Sequence, residues 1–328
     1  MKYLLLSITA LLIFTGCSEK KFFEPQDVND ELKTNKSEIS SSIKSFNRSG
    51  ATLEDGKFIT KNGLSKISLP ENFDFLNVSS DGKVLATNYK NKVLIGEKQI
   101  DVSGPVIAAS LKNNKLALIY SDNRLELINI KTNKTLFKEY LAISLANDTR
   151  ITNPFFMGNL ILYPTLNGRI VIMSALSNQI IKNISVDPDS EFNNIIFLDI
   201  IEESQTLIAA TSSRIVSISS QDILRKKYEI RDVITNDNNV YIATIDGQII
   251  KLSDSLEEIA KKKFKYSKIY TLAYSDSLYA LESQGFLINI SEDFKSDKVY
   301  EFDFNNEEKV IGIDDKIYFE SDYITLPK

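Results

Sequence analysis

Few side chains in this 328-residue chain are suited to covalent or acid–base chemistry. It has no histidine, no tryptophan and a single cysteine, Cys17. Losing histidine removes the commonest general base and metal ligand, and with it any Ser-His-Asp arrangement. Carboxylates remain. Asp187-Pro188-Asp189 and Glu202-Glu203 are candidates for a calcium site or an acid–base pair. Calcium takes about six to eight oxygen ligands, and no DxDxDG-like loop accompanies either group. The expectation is therefore that these four are solvated turn residues. Asp246-Gly247 and Asn167-Gly168 have the chemistry of turns, not of phosphate loops, and no GxGxxG or P-loop pattern occurs. No catalytic residue, metal ligand or cofactor site is expected, and the chain reads as non-catalytic.

Cys17 needs its own explanation. A lone cysteine in an exported chain cannot close an internal disulfide. The stretch before it, MKYLLLSITALLIFTG, has a positive start at Lys2, an apolar run from Tyr3 to Phe14 and small residues at Thr15 and Gly16. That is the layout of a secretory signal, and the run is shorter than the roughly 20 apolar residues of a bilayer span. The ending resembles a bacterial lipobox, with Phe14 where leucine is usual. The resemblance implies cleavage after residue 16 and lipidation of Cys17. An ordinary signal peptide with an incidental cysteine is the alternative. Acyl chains contribute about 0.8 kcal/mol per buried CH₂, and stable anchoring takes more than one chain, so a fully acylated Cys17 would hold the protein on a membrane without crossing it. Ser18, rather than Asp, follows the cysteine. By resemblance to Gram-negative lipoprotein sorting, that favours the outer membrane, facing the periplasm.

Removing residues 1–16 leaves 38 Lys and Arg against 44 Asp and Glu, a net of −6. This acidity argues against nucleic acid, which wants a basic stripe. The triplet Lys261-Lys262-Lys263 is expected on a solvated edge strand, where lysines discourage aggregation; a lipid-headgroup patch is the alternative. Residues 17–45 are polar, charged and serine-rich. They read as the lipidated cysteine and a tether, of which Phe22-Phe23 could dock on a partner or on the domain.

Residues 46–328 repeat. NKLALIYSDNRLELINI, GNLILYPTLNGRIVIMS, NNVYIATIDGQIIKLSD and DSLYALESQGFLINISE share one outline: polar pair, apolar run, polar turn, second apolar run. Each reads as a β-hairpin. Asp246-Gly247, Asn167-Gly168 and Asn62-Gly63 supply turns, and the flanks are rich in strand formers. Counting from the first apolar residue, hairpins begin at Phe58, Val84, Leu116, Leu160, Leu207, Val240, Leu278 and Ile317, with a mean spacing of 37 residues. Four-strand repeats of about 40 residues are the signature of a β-propeller. The fold class is all-β, with eight blades expected and seven as the alternative. The last hairpin lacks an outer strand before Lys328. An N-terminal strand, around Ser45–Thr52, is expected to close the ring.

The hairpin pattern resembles the repeats of quinoprotein-dehydrogenase-like (PQQ-like) propellers. Together with the lipobox, it resembles the BamB-like outer-membrane lipoproteins. Family repeats end in a tryptophan docked between blades; in KTNKTLF, at 131–137, Phe137 stands at that place. Quinone enzymes of this fold use an aromatic floor, a cysteine pair and calcium; this chain lacks both the tryptophan and the pair. The resemblance implies a lipid-anchored scaffold whose partner is another envelope protein, the core of the β-barrel assembly machinery, and a role in inserting outer-membrane barrels. The alternative is a periplasmic enzyme or sugar-binding propeller using the central channel.

Overall fold

A computed structural model describes residues 21–29, 32, 34–144, 148–190 and 193–327. Cys17 and the expected signal stretch lie outside these residues. Among the described residues there are strands and no helices. They form eight four-stranded antiparallel sheets, the blades of a propeller. Blades 1 to 7 span residues 43–64, 74–101, 106–140, 155–185, 197–227, 230–263 and 269–301. Blade 8 spans 310–325 and takes its outermost strand from the N-terminal side.

The alternation of side chains explains the ring. In blade 3 the second strand, Lys115–Tyr120, is buried almost throughout. Leu116, Leu118 and Tyr120 point into the core shared with blade 2. Ala117 and Ile119 point into the core shared with blade 4. Period-two geometry gives one strand two apolar faces, so its sequence reads as a continuous apolar run. Eight buried clusters result, one at each junction between neighbouring blades, including blade 8 against blade 1. Phe137 packs at the junction of blades 3 and 4, in keeping with an aromatic residue docked between blades.

The turn chemistry also follows from the residues. Gly63, Gly168 and Gly247 have φ of 90°, 71° and 78°. Around Gly247, the Thr244 hydroxyl donates to Asp246 at 2.5 Å and accepts from the Gln248 amide at 2.9 Å. Thr165 repeats this with Asn167 and Arg169.

Three expectations need correction. The ring is closed by an N-terminal strand, but it is Asn35–Glu38, paired antiparallel with Asp322–Thr325, and not 45–52. Those residues belong to blade 1 instead. The closing strand is polar because an outermost strand needs no apolar face; its backbone bonds and a Lys36–Asp322 ion pair at 2.9 Å hold it. The tether expected over 17–45 therefore overlaps the propeller. Finally, Phe58 starts the third strand of blade 1, not the second, which is Gly50–Leu53. That offset produced the short first spacing.

Candidate functional site

The innermost strands of all eight blades line a central cavity of about 930 Å³. Turns, connecting segments and the innermost strands themselves carry its polar side chains. Arg48 sits in the turn between the first two strands of blade 1, and its amide donates to the Ile151 carbonyl ahead of blade 4 at 3.1 Å. Its guanidinium donates to Asp232 on the innermost strand of blade 6 at 2.7 Å and also to the Val233 carbonyl. The group lies 5.0 Å from the centre of the Phe197 ring in blade 5. Blades 1 and 6 are not neighbours, so this side chain crosses the channel.

Asp232 is buried and collects further partners. It accepts from the Leu272 amide at 2.8 Å and the Thr271 hydroxyl at 3.2 Å, both in blade 7. The Gly312 amide of blade 8 donates to that hydroxyl at 3.0 Å. Arg150 lies 3.7 Å from Asp232 and pairs with Asp148, its Nε donating at 2.8 Å. Asn153 accepts from the Ala109 amide at 2.8 Å and donates to Ser49 and to the Leu76 carbonyl. Polar contacts thus link blades 1, 2, 3, 6, 7 and 8 with the segment ahead of blade 4, and the Phe197 ring of blade 5 packs against Arg48.

The network sets its own charges. Burial alone would raise the Asp148 carboxyl, but the hydrogen bond and charge of Arg150 hold it below the usual range. Burial opposes the Arg150 charge, and Asp148 and Asp232 more than restore it. Asp314, also lining the cavity, goes the other way: burial raises its carboxyl, and the neighbouring Asp315 adds to the effect. Among the described residues, five cationic and five acidic side chains line the cavity. That balance favours neither an anionic nor a cationic ligand.

None of the carboxylates, turn pairs or lysines singled out from the sequence lines this cavity. Asp187 is buried between blades 4 and 5, 3.2 Å from Arg214, and accepts from Ser213. Asp189 is exposed and pairs with the same arginine. Glu202 and Glu203 are exposed on a turn of blade 5, where Glu203 accepts from Asn238. The expectation of solvated turn residues holds for Asp189, Glu202 and Glu203 but not for Asp187, which is buried because Arg214 and Ser213 satisfy its carboxylate between the blades. Among the described residues, no three His, Cys, Asp or Glu side chains gather as a metal site. Lys261, Lys262 and Lys263 lie on the outermost strand of blade 6 and pair with Glu258, Asp297 and Asp246.

The rim offers a second kind of surface. The outermost strand of blade 4, Ile180–Ser185, exposes Ile180 and Ile181, the latter by 60%, beside exposed Leu176. It carries one lysine, whereas Ile223–Lys227 and Glu258–Lys263, outermost in blades 5 and 6, carry three basic residues each. Charged residues, especially lysines, are the usual guard against pairing at a strand edge. Other outermost strands also carry one lysine or none, so what marks the blade 4 edge is its adjacent pair of exposed isoleucines, Ile180 and Ile181. The sequence pattern already marks residues 179–184 as an outer strand, as found, but it gives no sign of the channel network.

Comparison with known proteins places the fold. No protein-family model matches the chain. Plasminogen-binding protein PgbB of Helicobacter pylori is 27% identical over 98% of this chain and 71% of its own length. A second strain's PgbB is 27% identical over 98% of this chain and 70% of its own length. Among solved structures, AztD from Citrobacter koseri matches 80% of this chain and 86% of its own, with TM-score 0.58 and 11% identity. BamB from Moraxella catarrhalis matches 89% of this chain and 98% of its own, with TM-score 0.67 and 10% identity. The protein is an eight-bladed β-propeller of BamB-like fold.

Proposed function

We propose that this chain is a non-catalytic protein-docking propeller, held at the bacterial envelope by lipid on Cys17, which takes a partner strand along the outer edge of blade 4. The observation that carries this reading is that edge: Ile180 and Ile181 exposed on an outermost strand with one lysine. An unpaired edge supplies a row of backbone donors and acceptors for an added strand, and alternate side chains supply specificity. The channel supports the same reading from the other side. Arg48, Asp148, Arg150 and Asp232 are paired with one another, so none stands free as an acid or base. A small ligand in the channel is correspondingly disfavoured.

The partner is an envelope protein, and the BamB-like fold with its lipobox-like leader points to the core of the β-barrel assembly machinery. A second partner is favoured by one observation: the 27% identity to PgbB runs over 98% of the chain. On that reading the propeller binds plasminogen from the outer surface of the cell. Crosslinking with mass spectrometry on intact cells separates the two. Crosslinks from blade 4 to barrel-assembly components support the first. Protease shaving of the propeller from intact cells, with direct binding to purified plasminogen, supports the second. Ile181→Lys should abolish capture of either partner while leaving the circular dichroism spectrum unchanged. Undiminished capture by that variant would overturn the docking edge.

A further inference from the structure

Residues 21–29 are not a free leash. Phe23 is only 7% exposed and belongs to the core between blades 6 and 7. Its ring meets Phe264 and Phe286 edge-on at 6.1 and 5.7 Å. Further along, the Asn29 amide donates to the Val299 carbonyl at 2.8 Å, beside the outermost strand of blade 7. The segment is pinned at two points before the closing strand begins at Asn35.

Lys21 is four residues from Cys17. An extended chain covers at most about 3.6 Å per residue, so Cys17 stays within about 14 Å of Lys21. A lipid on Cys17 cannot leave the rim of blades 6 and 7. A free tether over 17–45 would have allowed any orientation; this length allows only that side to approach the bilayer.

The chemistry of the rim suits the bilayer surface. Phe22 and Tyr266 are exposed, by 47% and 39%. Lys21 and Lys265 lie 5.5 and 5.0 Å from the centre of the Tyr266 ring. The stretch 257–268 holds five lysines against two glutamates. Glu258, Asp246 and Asp297 offset three of the five. Lys265 shares the Tyr266 ring with Lys21, and Lys265 and Lys268 are exposed, with no ion pair to a carboxylate among the described residues. Aromatic rings at headgroup level and lysines facing anionic lipid are the usual furniture of a membrane interface.

We infer that the rim formed by Phe22, Lys21, Lys265 and Tyr266 is the membrane-facing side of the propeller, seated on anionic lipid headgroups by the short leash from Cys17. This rests on the lipid anchor proposed above. The chain has no tryptophan, so single-tryptophan variants give a clean signal. Tyr266→Trp reports the proposed face. Tyr140→Trp reports blade 3, opposite blade 7 in an eight-bladed ring. The full chain, purified from bacterial membranes, is reconstituted into phosphatidylethanolamine–phosphatidylglycerol vesicles with brominated acyl chains. The expected result is that the protein floats with the vesicles, that bromine quenches position 266, and that position 140 keeps its emission. Protein that floats with equal or reversed quenching overturns the orientation and spares the anchor. Protein that does not float, with no lipid mass on the Cys17 peptide, overturns the anchor and the orientation with it.

Discussion

Replacing Asp232 by alanine removes the carboxylate on which four blades converge. Its side chain is 3% exposed, while Arg48 and Arg150 are 21% and 17% exposed. Breaking a buried pair by removing one partner costs about 3–5 kcal/mol, because the other charge is left uncompensated. Partial solvent access at the arginines moves the expectation to the low end of that range. The Leu272 amide also loses its acceptor, and an unsatisfied buried donor costs about 1–3 kcal/mol. The groups share one network, so the terms do not simply add. The expected loss is about 3–4 kcal/mol, read from urea unfolding followed by far-ultraviolet circular dichroism. Arg48→Met in the same background removes the stranded charge and should recover part of the loss. A loss under about 1 kcal/mol, the range of an exposed pair, would refute the claim that this network holds the ring across its axis. So would a double variant no more stable than the sum of its singles implies.

Other outcomes follow from the packing and the charges. Gly312→Ala would bring a Cβ within 2.5 Å of the Leu272 carbonyl oxygen and 2.7 Å of the Thr271 hydroxyl. Overpacking of this kind costs about 1–3 kcal/mol, and a lowered melting temperature checks it. Phe23→Ala empties its aromatic seat at a cost of about 3 kcal/mol, and trypsin should then cut readily after Lys21, two residues before it. Lys263, with Thr244 and Gln248, pulls the Asp246 carboxyl down from 3.8 to about 2. A depressed carboxyl contributes stability above its unfolded value that is lost as pH falls from about 3.8 through about 2. The pair is half exposed, so the contribution is below about 1 kcal/mol. Asp246→Asn should flatten the acid limb of the stability curve between those pH values by that amount, measured by urea unfolding.

Much of the fold is local, and local features were legible in the chain. A blade is a run of neighbouring hairpins, so its turn glycines and apolar alternation repeat within each stretch of about 40 residues. GNLILYPTLNGRIVIMS and NNVYIATIDGQIIKLSD show strands and turn together because each hairpin bonds to itself. Blade 1 was harder to align because its strands are short, down to Gly63-Leu64, and the apolar Phe58–Thr60 resembled a hairpin's start.

What tertiary structure alone decided concerns partners distant in the chain. Asn35–Glu38 is a strand only because Asp322–Thr325 lies beside it; its composition gives no apolar signal. Phe23 is buried only because blades 6 and 7 leave room between Phe264 and Phe286. Arg48 and Asp232 are 184 residues apart, and neither carries a local mark of the other. Periodicity records which face of a strand is apolar, because burial repeats with the backbone. It does not record which polar side chains meet across a ring, because that depends on how all eight blades close together.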